Sequence, residues 1–328
     1  MDTILAQTCP DWELIVCDSY SDDGTWEFFQ KYKNDSRIKL HQVPRAGCYA
    51  GWNECLNRAT GEYIYIATAD DTCLPLLIER LVSSLDQNKN VKVAVCDFYS
   101  IDAEGRVTDL PNDVVRRKFF GEWLGKYSLR NGKTEFLLHT CFLHAWVTMT
   151  SVLFRKSLLD QIGFFSLDRG IVADMEWAMR ASLVTDIVFV PVKLATWRRH
   201  DQQASRRVNC IRISRDALEC VDSVLSSAGD SIPEDWRKLA NWSGEIRKIA
   251  LAQHYDSYAL YGDQARNNIC RFMKRAGLAI MNEPGFFLRQ MMRGFEWSES
   301  YSLDPVLHVQ NLIKLFQSSW PPSELFDV

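Results

Sequence analysis

The sequence predicts an α/β protein: residues 1–205 form a mostly parallel sheet flanked by helices, and residues 206–328 form a helical region. Three observations carry this reading. Strand-like apolar runs alternate with helix-like periodic runs, the links between them are short, and the strand signals stop after about residue 205. Sheets of this kind bind ligands beyond the carboxyl ends of their strands. Two expected strand ends carry acids, Asp18 and the Asp70-Asp71 pair, and these are the first functional signal.

The elements follow in order. Trp12 to Cys17 is a short apolar run that ends on Asp18, and Ser19 to Gly24 reads as a turn. Thr25 to Tyr32 reads as a helix start, Arg37 to Val43 as a second strand and Pro44 to Gly47 as a loop. Tyr49, Trp52, Leu56 and Ala59 recur at helical spacing, so Cys48 to Ala59 is an amphipathic helix with Gly61 just past its end. Glu62 to Thr68 is a third strand leading to Asp70-Asp71, and Leu74, Leu77, Ile78, Leu81 and Leu85 make the face of the next helix. Val91 to Ile101 is a further strand, ended by the Ala103-Glu104-Gly105 turn. Phe136 to Phe154 carries no charge over 19 residues, but it holds His139, His144 and several hydroxyls. A buried strand beside a cleft is expected there in preference to a membrane-spanning helix. From Arg206 onward 15 acidic and 15 basic residues balance, and a boundary is expected near 206–212.

The composition of the 328 residues, 47% apolar and 24% charged, excludes a disordered, collagen-like or coiled-coil chain. A net charge of −4 lacks the basic field of nucleic-acid binders, so no nucleic-acid partner is expected. Ten cysteines without a CxxC pair suit reduced, small apolar side chains in a cytoplasmic protein. The opening MDTILAQTCPDW has no signal-peptide pattern. The expected placement is cytoplasmic, with peripheral contact at the inner membrane face left open. Such contact would use Arg271, Lys274, Arg275, Arg289 and Arg293, which flank Phe272, Leu278, Ile280, Phe286, Phe287 and Met291; a solvated face is the plainer reading.

Adjacent acids on a rigid strand end suit a hard divalent cation, Mg²⁺ or Mn²⁺, which prefers carboxylate and phosphate oxygens. The plain alternative is that Asp70-Asp71 cap the helix that starts near Leu74. Asp174 opens a helical run to Arg180, where a carboxylate either caps the helix or takes a proton from a hydroxyl nucleophile. Arg198 and Arg199 offer guanidinium groups suited to phosphate, with His200 beside them.

Three blocks stand in one order: Cys17 to Thr25 (CDSYSDDGT), Gly61 through Asp70-Asp71, and Ala173-Asp174 through Trp197-Arg198-Arg199-His200. Together they resemble the inverting, nucleotide-sugar-dependent glycosyltransferases of family 2, with the GT-A fold, over roughly residues 1–205. The resemblance implies transfer of a sugar from a nucleotide donor, UDP-linked by preference, to the hydroxyl of a saccharide or lipid-linked saccharide, in surface polysaccharide or glycolipid synthesis. It implies a divalent cation as cofactor. Asp18 matches the acid that holds the nucleotide base, and Arg45 and Gly47 fall in the loop along the nucleotide and diphosphate. Thr68 stands at the first acid of the family's Asp-x-Asp motif and Asp70 at the metal-binding second. Asp174 matches the general base, with Ala173 in place of the usual Glu; Glu176 is the weaker base candidate. Arg199 and His200 fall in a segment that closes over the diphosphate, His200 as a metal ligand. His144 and Trp146 lie on the acceptor side, equally placed to contact sugar or to belong to the core.

Family members begin with an apolar strand ahead of the segment matched by Thr3 to Thr8. The chain is therefore expected to be an N-terminally shortened member in which two neighbouring strands are left unpaired. Thr68, Ala173 and that missing strand favour a competing reading, a degenerate non-catalytic member that binds nucleotide or a partner enzyme; Asp70, Asp174 and His200 oppose it. A nucleotidyltransferase is disfavoured because no Gly-rich phosphate loop with a Lys is present.

Overall fold

The structure is a computed structural model and describes residues 1–108, 114–142, 146–203, 208, 210–254, 277, 281, 284 and 305–325. The basic and apolar stretch between Arg271 and Arg293 lies outside the described residues apart from isolated positions, and so does His144. Among the described residues no helix is long and apolar enough to cross a membrane.

The first half of the chain follows the expected alternation. It runs α1 (Asp2–Leu5), β1 (Leu14–Asp18), α2 (Thr25–Gln30), β2 (Ile38–Gln42), α3 (Cys48–Arg58), β3 (Tyr63–Tyr65), α4 (Leu77–Gln87) and β4 (Val93–Ile101). There follow β5 (Val107–Thr108), α5 (Val114–Phe120), β6 (Ser128–Arg130), α6 (Gly132–Phe142), β7 (Val152–Arg155), α7 (Leu159–Ile162), α8 (Ala173–Ser182) and β8 (Ile187–Arg198). Helices Cys210–Ser227, Trp242–His254 and Pro305–Leu315 follow, with a short strand β9 at Ser323–Glu324. In α4, Leu77, Leu81 and Leu85 are wholly buried, as their spacing requires for a helix lying on a sheet.

The charge-free stretch 136–154 corrects one expectation. Its first part is not a strand: Phe136 to Phe142 continue α6, and among the described residues the strand is confined to Val152–Arg155. A helix buried on all sides shows no polar face, so its apolar run cannot be told from a buried strand by periodicity. Phe136, Leu137, Leu138 and His139 are all fully buried, and α6 packs against α8 and the Pro305–Leu315 helix.

The sheet is mixed, where a mostly parallel one was expected. β4 and β8 pair in parallel, as do β1 and β2, but β3–β7, β4–β7, β6–β8, β4–β5 and β6–β9 are antiparallel. Strands β7 and β6 run against neighbours that are distant in sequence, and no apolar pattern in so few residues distinguishes that direction. One cluster of buried side chains runs from Leu56 and Ile64 through Phe154 and Trp177 to Val221, Trp236 and Phe316. The helices after residue 206 are thus packed into the same core as the sheet. Burying a side chain of the size of Phe154, 0% exposed, stabilises by about 1.5–3 kcal/mol.

The sheet is also divided. β1 pairs only with β2, and β3 pairs only with β7, so among the described residues no strand joins the two-stranded sheet to the larger one. At one end the two parts are tied by Glu13, just ahead of β1. Its carboxylate accepts hydrogen bonds from the Thr60 hydroxyl (2.8 Å) and the Gly61 amide (3.1 Å), which lead into β3, and pairs with Lys39 of β2. Burial pushes the Glu13 carboxyl up, but the bonds from Lys39, Thr60 and Gly61 outweigh it and hold the group down at about 2. A carboxylate depressed in this way contributes stability that is present above its unfolded pKa and is lost as pH falls through its folded one. Melting temperature should therefore fall between pH 4.5 and pH 2, and Glu13→Gln should flatten that part of the profile while lowering stability at neutral pH. Equal slopes for the two proteins in this window would remove Glu13 as the tie.

Candidate active site

The gap between the two sheets opens as a groove of about 1190 Å³, bordered by β1, the start of α3 and the loop after β3. Of the residues picked out by sequence, Asp18, Arg45, Gly47, Thr68 and Asp70 all border it. Asp18 ends β1 and is 4% exposed; its Oδ2 accepts from the Ser21 amide at 3.0 Å, which folds the turn over the strand end. Arg45 straps the same turn by donating to the carbonyls of Ser19 (3.3 Å) and Tyr20 (3.0 Å). Gly47 has φ +98°, a value side-chain-bearing residues rarely adopt, and stands as the N-cap of α3 with no side-chain cap. The first-turn amides of α3 thus keep their partial positive charge at the groove edge, where an anion is favoured.

On the opposite edge the loop after β3 carries the acids. Asp70 Oδ2 meets His200 Nε2 at 3.1 Å, joining the loop to the segment that follows β8. Asp71 does not cap α4, as the plain reading had allowed, since α4 has no side-chain cap. Its carboxylate turns inward, accepting from the Arg198 amide (2.6 Å), the Thr68 hydroxyl (2.8 Å) and the Thr150 hydroxyl (3.3 Å). Burial raises its pKa, and the neighbouring Asp70 adds to the rise against these hydrogen bonds. The Arg198 guanidinium braces the loop, donating through Nε to the Asp70 carbonyl (2.7 Å) and through Nη1 to the carbonyls of Asp102 and Ala103 (3.0 Å each). Arg199 bonds through its amide to the Ile101 carbonyl and sets its guanidinium beside Trp197.

Asp174 lies in the first turn of α8, where its Oδ1 accepts from the Met175 amide at 2.8 Å, and it is not the N-cap, which is Val172. It stands beside α3. The Tyr49 hydroxyl, donating to the Ile171 carbonyl at 3.1 Å, is pushed far up by burial and then by the Asp174 charge. The Cys48 thiol is raised by desolvation and then by Asp174 and Asp70, so the start of α3 lies in the field of both carboxylates. Glu176 is buried and held by Arg180 (2.8 Å) and Ser166 (2.9 Å), an internal ion pair and not a free base. Of the two places open to Trp146, it takes the core: it is 2% exposed, its Nε1 donates to the buried Glu135 at 3.0 Å, and its ring meets His139 edge-on. Cys48, Tyr49 and Thr150 were not singled out as site residues from sequence; only the place of Cys48 and Tyr49, directly after Gly47, was a signal.

Asp70 and His200 offer one carboxylate oxygen and one imidazole nitrogen to a cation. Among the described residues no group of three or more His, Cys, Asp or Glu side chains converges on one point. Such a donor set fits Mg²⁺ or Mn²⁺ bound through one or two side chains with phosphate oxygens and water completing the shell, and it does not fit a closed, all-protein site.

The first half of the chain resembles known proteins. Residues 1–156 match the family described as Glycosyl transferase family 2. The chain is 36% identical over 108 residues to the Bacillus subtilis protein EpsE, a match spanning 32% of this chain and 39% of that one. It is 25% identical over 242 residues to the glycosyltransferase GlyG of Streptococcus pneumoniae, spanning 69% of this chain and 74% of that one. In fold it is similar to S. aureus TarS 1-349 in complex with UDP-GlcNAc, with a TM-score of 0.59 at 15% identity over 99% of this chain and 94% of that one. It is also similar to the mannosyltransferase PcManGT of Pyrobaculum calidifontis in complex with GDP-Man and Mn²⁺, with a TM-score of 0.52 at 17% identity over 97% and 82%. The family match covers just under half of the chain, and the fold is GT-A.

Proposed function

We propose that this chain is a family 2 glycosyltransferase that moves a single sugar from a UDP-linked donor to an acceptor hydroxyl with inversion at the anomeric carbon. The observation that carries the reading is the convergence on one groove of the β1-end acid Asp18, the Asp70–His200 pair and the uncapped start of α3. Asp18 accepts from an N–H of the base, while Arg45 and the Gly47 turn border the nucleotide. Thr68 gives its hydroxyl hydrogen to Asp71, which leaves its oxygen lone pairs for a ribose hydroxyl. Asp70 and His200 hold the cation, which when bound neutralises charge on the departing diphosphate. Arg199 approaches the same phosphates.

Asp174 takes the proton of the acceptor hydroxyl as that oxygen attacks the anomeric carbon. The new glycosidic bond forms as the bond to the diphosphate breaks, and the nucleoside diphosphate leaves with the electron pair. Direct displacement on one face inverts the configuration. A saccharide or lipid-linked saccharide suits the acceptor role in surface polysaccharide or glycolipid synthesis in the cytoplasm. TarS with UDP-GlcNAc supports the choice of donor, and PcManGT with Mn²⁺ supports the choice of cation.

Calorimetric titration with UDP tests the donor side. Affinity should rise when Mn²⁺ replaces EDTA, because the cation neutralises diphosphate charge beside Asp70 and His200. Equal affinity in the two buffers would remove the cation from Asp70 and His200.

A further inference from the structure

Asp70 is a half-exposed side chain on an irregular loop, and His200 follows the end of β8, yet the two meet at 3.1 Å. Their contact needs two separate chain segments to be held in register. The residue next to Asp70 does this. The Asp71 carboxylate spans the two segments: one oxygen takes the Arg198 amide, and the other takes the hydroxyls of Thr68 and Thr150. The Thr150 hydroxyl, whose single hydrogen serves the carboxylate, also lies 3.1 Å from the Thr196 carbonyl, which sets it against β8. The seam continues behind it. Thr72 and Thr196 exchange backbone and hydroxyl bonds, the Leu74 amide bonds to the Leu194 carbonyl, and Cys73 bridges Ala195.

We propose that Asp71 is a positioning residue, which locks the Asp70 loop to the end of β8 so that Asp70 and His200 are already paired before a cation or nucleotide arrives. This rests on the reading of Asp70 and His200 as the cation's ligands. A carboxylate suits the task because it alone, among side chains of this length, accepts from a backbone amide on one oxygen and from two hydroxyls on the other. Partners that orient metal ligands in this way typically govern affinity about 10- to 100-fold when removed.

The test uses the full chain and two readouts. The first needs no metal: the imidazole resonances of His200 at one fixed pH, compared with those of Asp70→Ala as the reference for an unpaired ring. In Asp71→Ala the His200 signals should move to the Asp70→Ala positions. The second is the gain in UDP affinity on adding Mn²⁺, which should fall at least about tenfold in Asp71→Ala while UDP affinity in EDTA stays at the parent value. Asp71→Asn keeps an acceptor for the Arg198 amide but turns a donor NH2 toward the Thr68 and Thr150 hydroxyls, and should recover both only in part. If Asp71→Ala fails to fold, Thr150→Val, which removes one of the three donors, should still shift the His200 signals partway. Parent-like His200 signals in the folded variants would overturn the proposal. A parent protein with no Mn²⁺ gain sinks the metal reading instead, and the His200 comparison still decides the role of Asp71.

Discussion

Asp174→Asn should transfer sugar about 10²-fold more slowly than the parent or worse, at the lower end of what a positioned general base supplies. The substitution keeps the size of the side chain and keeps an oxygen for the Met175 amide, so α8 retains its first turn. What it loses is the ability to accept the acceptor's proton. UDP affinity with Mn²⁺ should be unchanged, because Asp174 does not border the groove that holds Asp18 and Asp70. The melting temperature should likewise stay close to that of the parent. A purely structural Asp174 predicts the reverse ordering: little change in turnover for Asn and a stability loss of roughly 1 kcal/mol or less for Ala. Glu176 offers no substitute, as both of its oxygens are engaged by Arg180 and Ser166 inside the protein. Turnover of Asp174→Asn within a few-fold of the parent would take Asp174 out of the mechanism.

Asp70→Ala should abolish the Mn²⁺-dependent part of UDP binding and lower transfer by about 10²–10³-fold, the loss seen when one group opposing transition-state charge is removed. The carboxylate is half-exposed and its side chain bonds only to His200 among the described residues, so its removal leaves no buried partner unsatisfied. Stability should accordingly change by less than about 1 kcal/mol, as for an exposed ion pair. Binding of UDP in EDTA should persist through Asp18 and the start of α3. This pattern separates Asp70 from Asp71: the former removes a ligand, the latter the frame that presents it.

The fold was legible where local pattern and tertiary environment agree. Alternating runs placed β1, α3 and α4 within a few residues of their observed limits, since each has one face buried and one exposed. It was not legible in α6, which is buried all round, nor in the antiparallel return of β6 and β7, whose direction is set by neighbours distant in sequence. The site follows the same division. Asp18 and Asp70 stand out because acids at strand ends are unusual and lie where α/β sheets bind ligands. The contact of Asp70 with His200 spans 130 positions and was indicated only by the order of the blocks. The inward turn of Asp71, the commitment of Arg198 to carbonyls and the burial of Trp146 depend on which hydrogen-bond partners fold within reach. No spacing in the sequence encodes those.

The central claim is that these residues transfer sugar from a nucleotide donor. The most direct test is nucleoside diphosphate release from a panel of UDP-, GDP- and dTDP-linked sugars, with Mn²⁺ and a mixture of saccharide acceptors. The account predicts release from a UDP-linked sugar that depends on acceptor, stops with EDTA and is lost in Asp174→Asn. Binding of UDP without release from any donor would contradict it and leave a nucleotide-binding, non-catalytic member of the family.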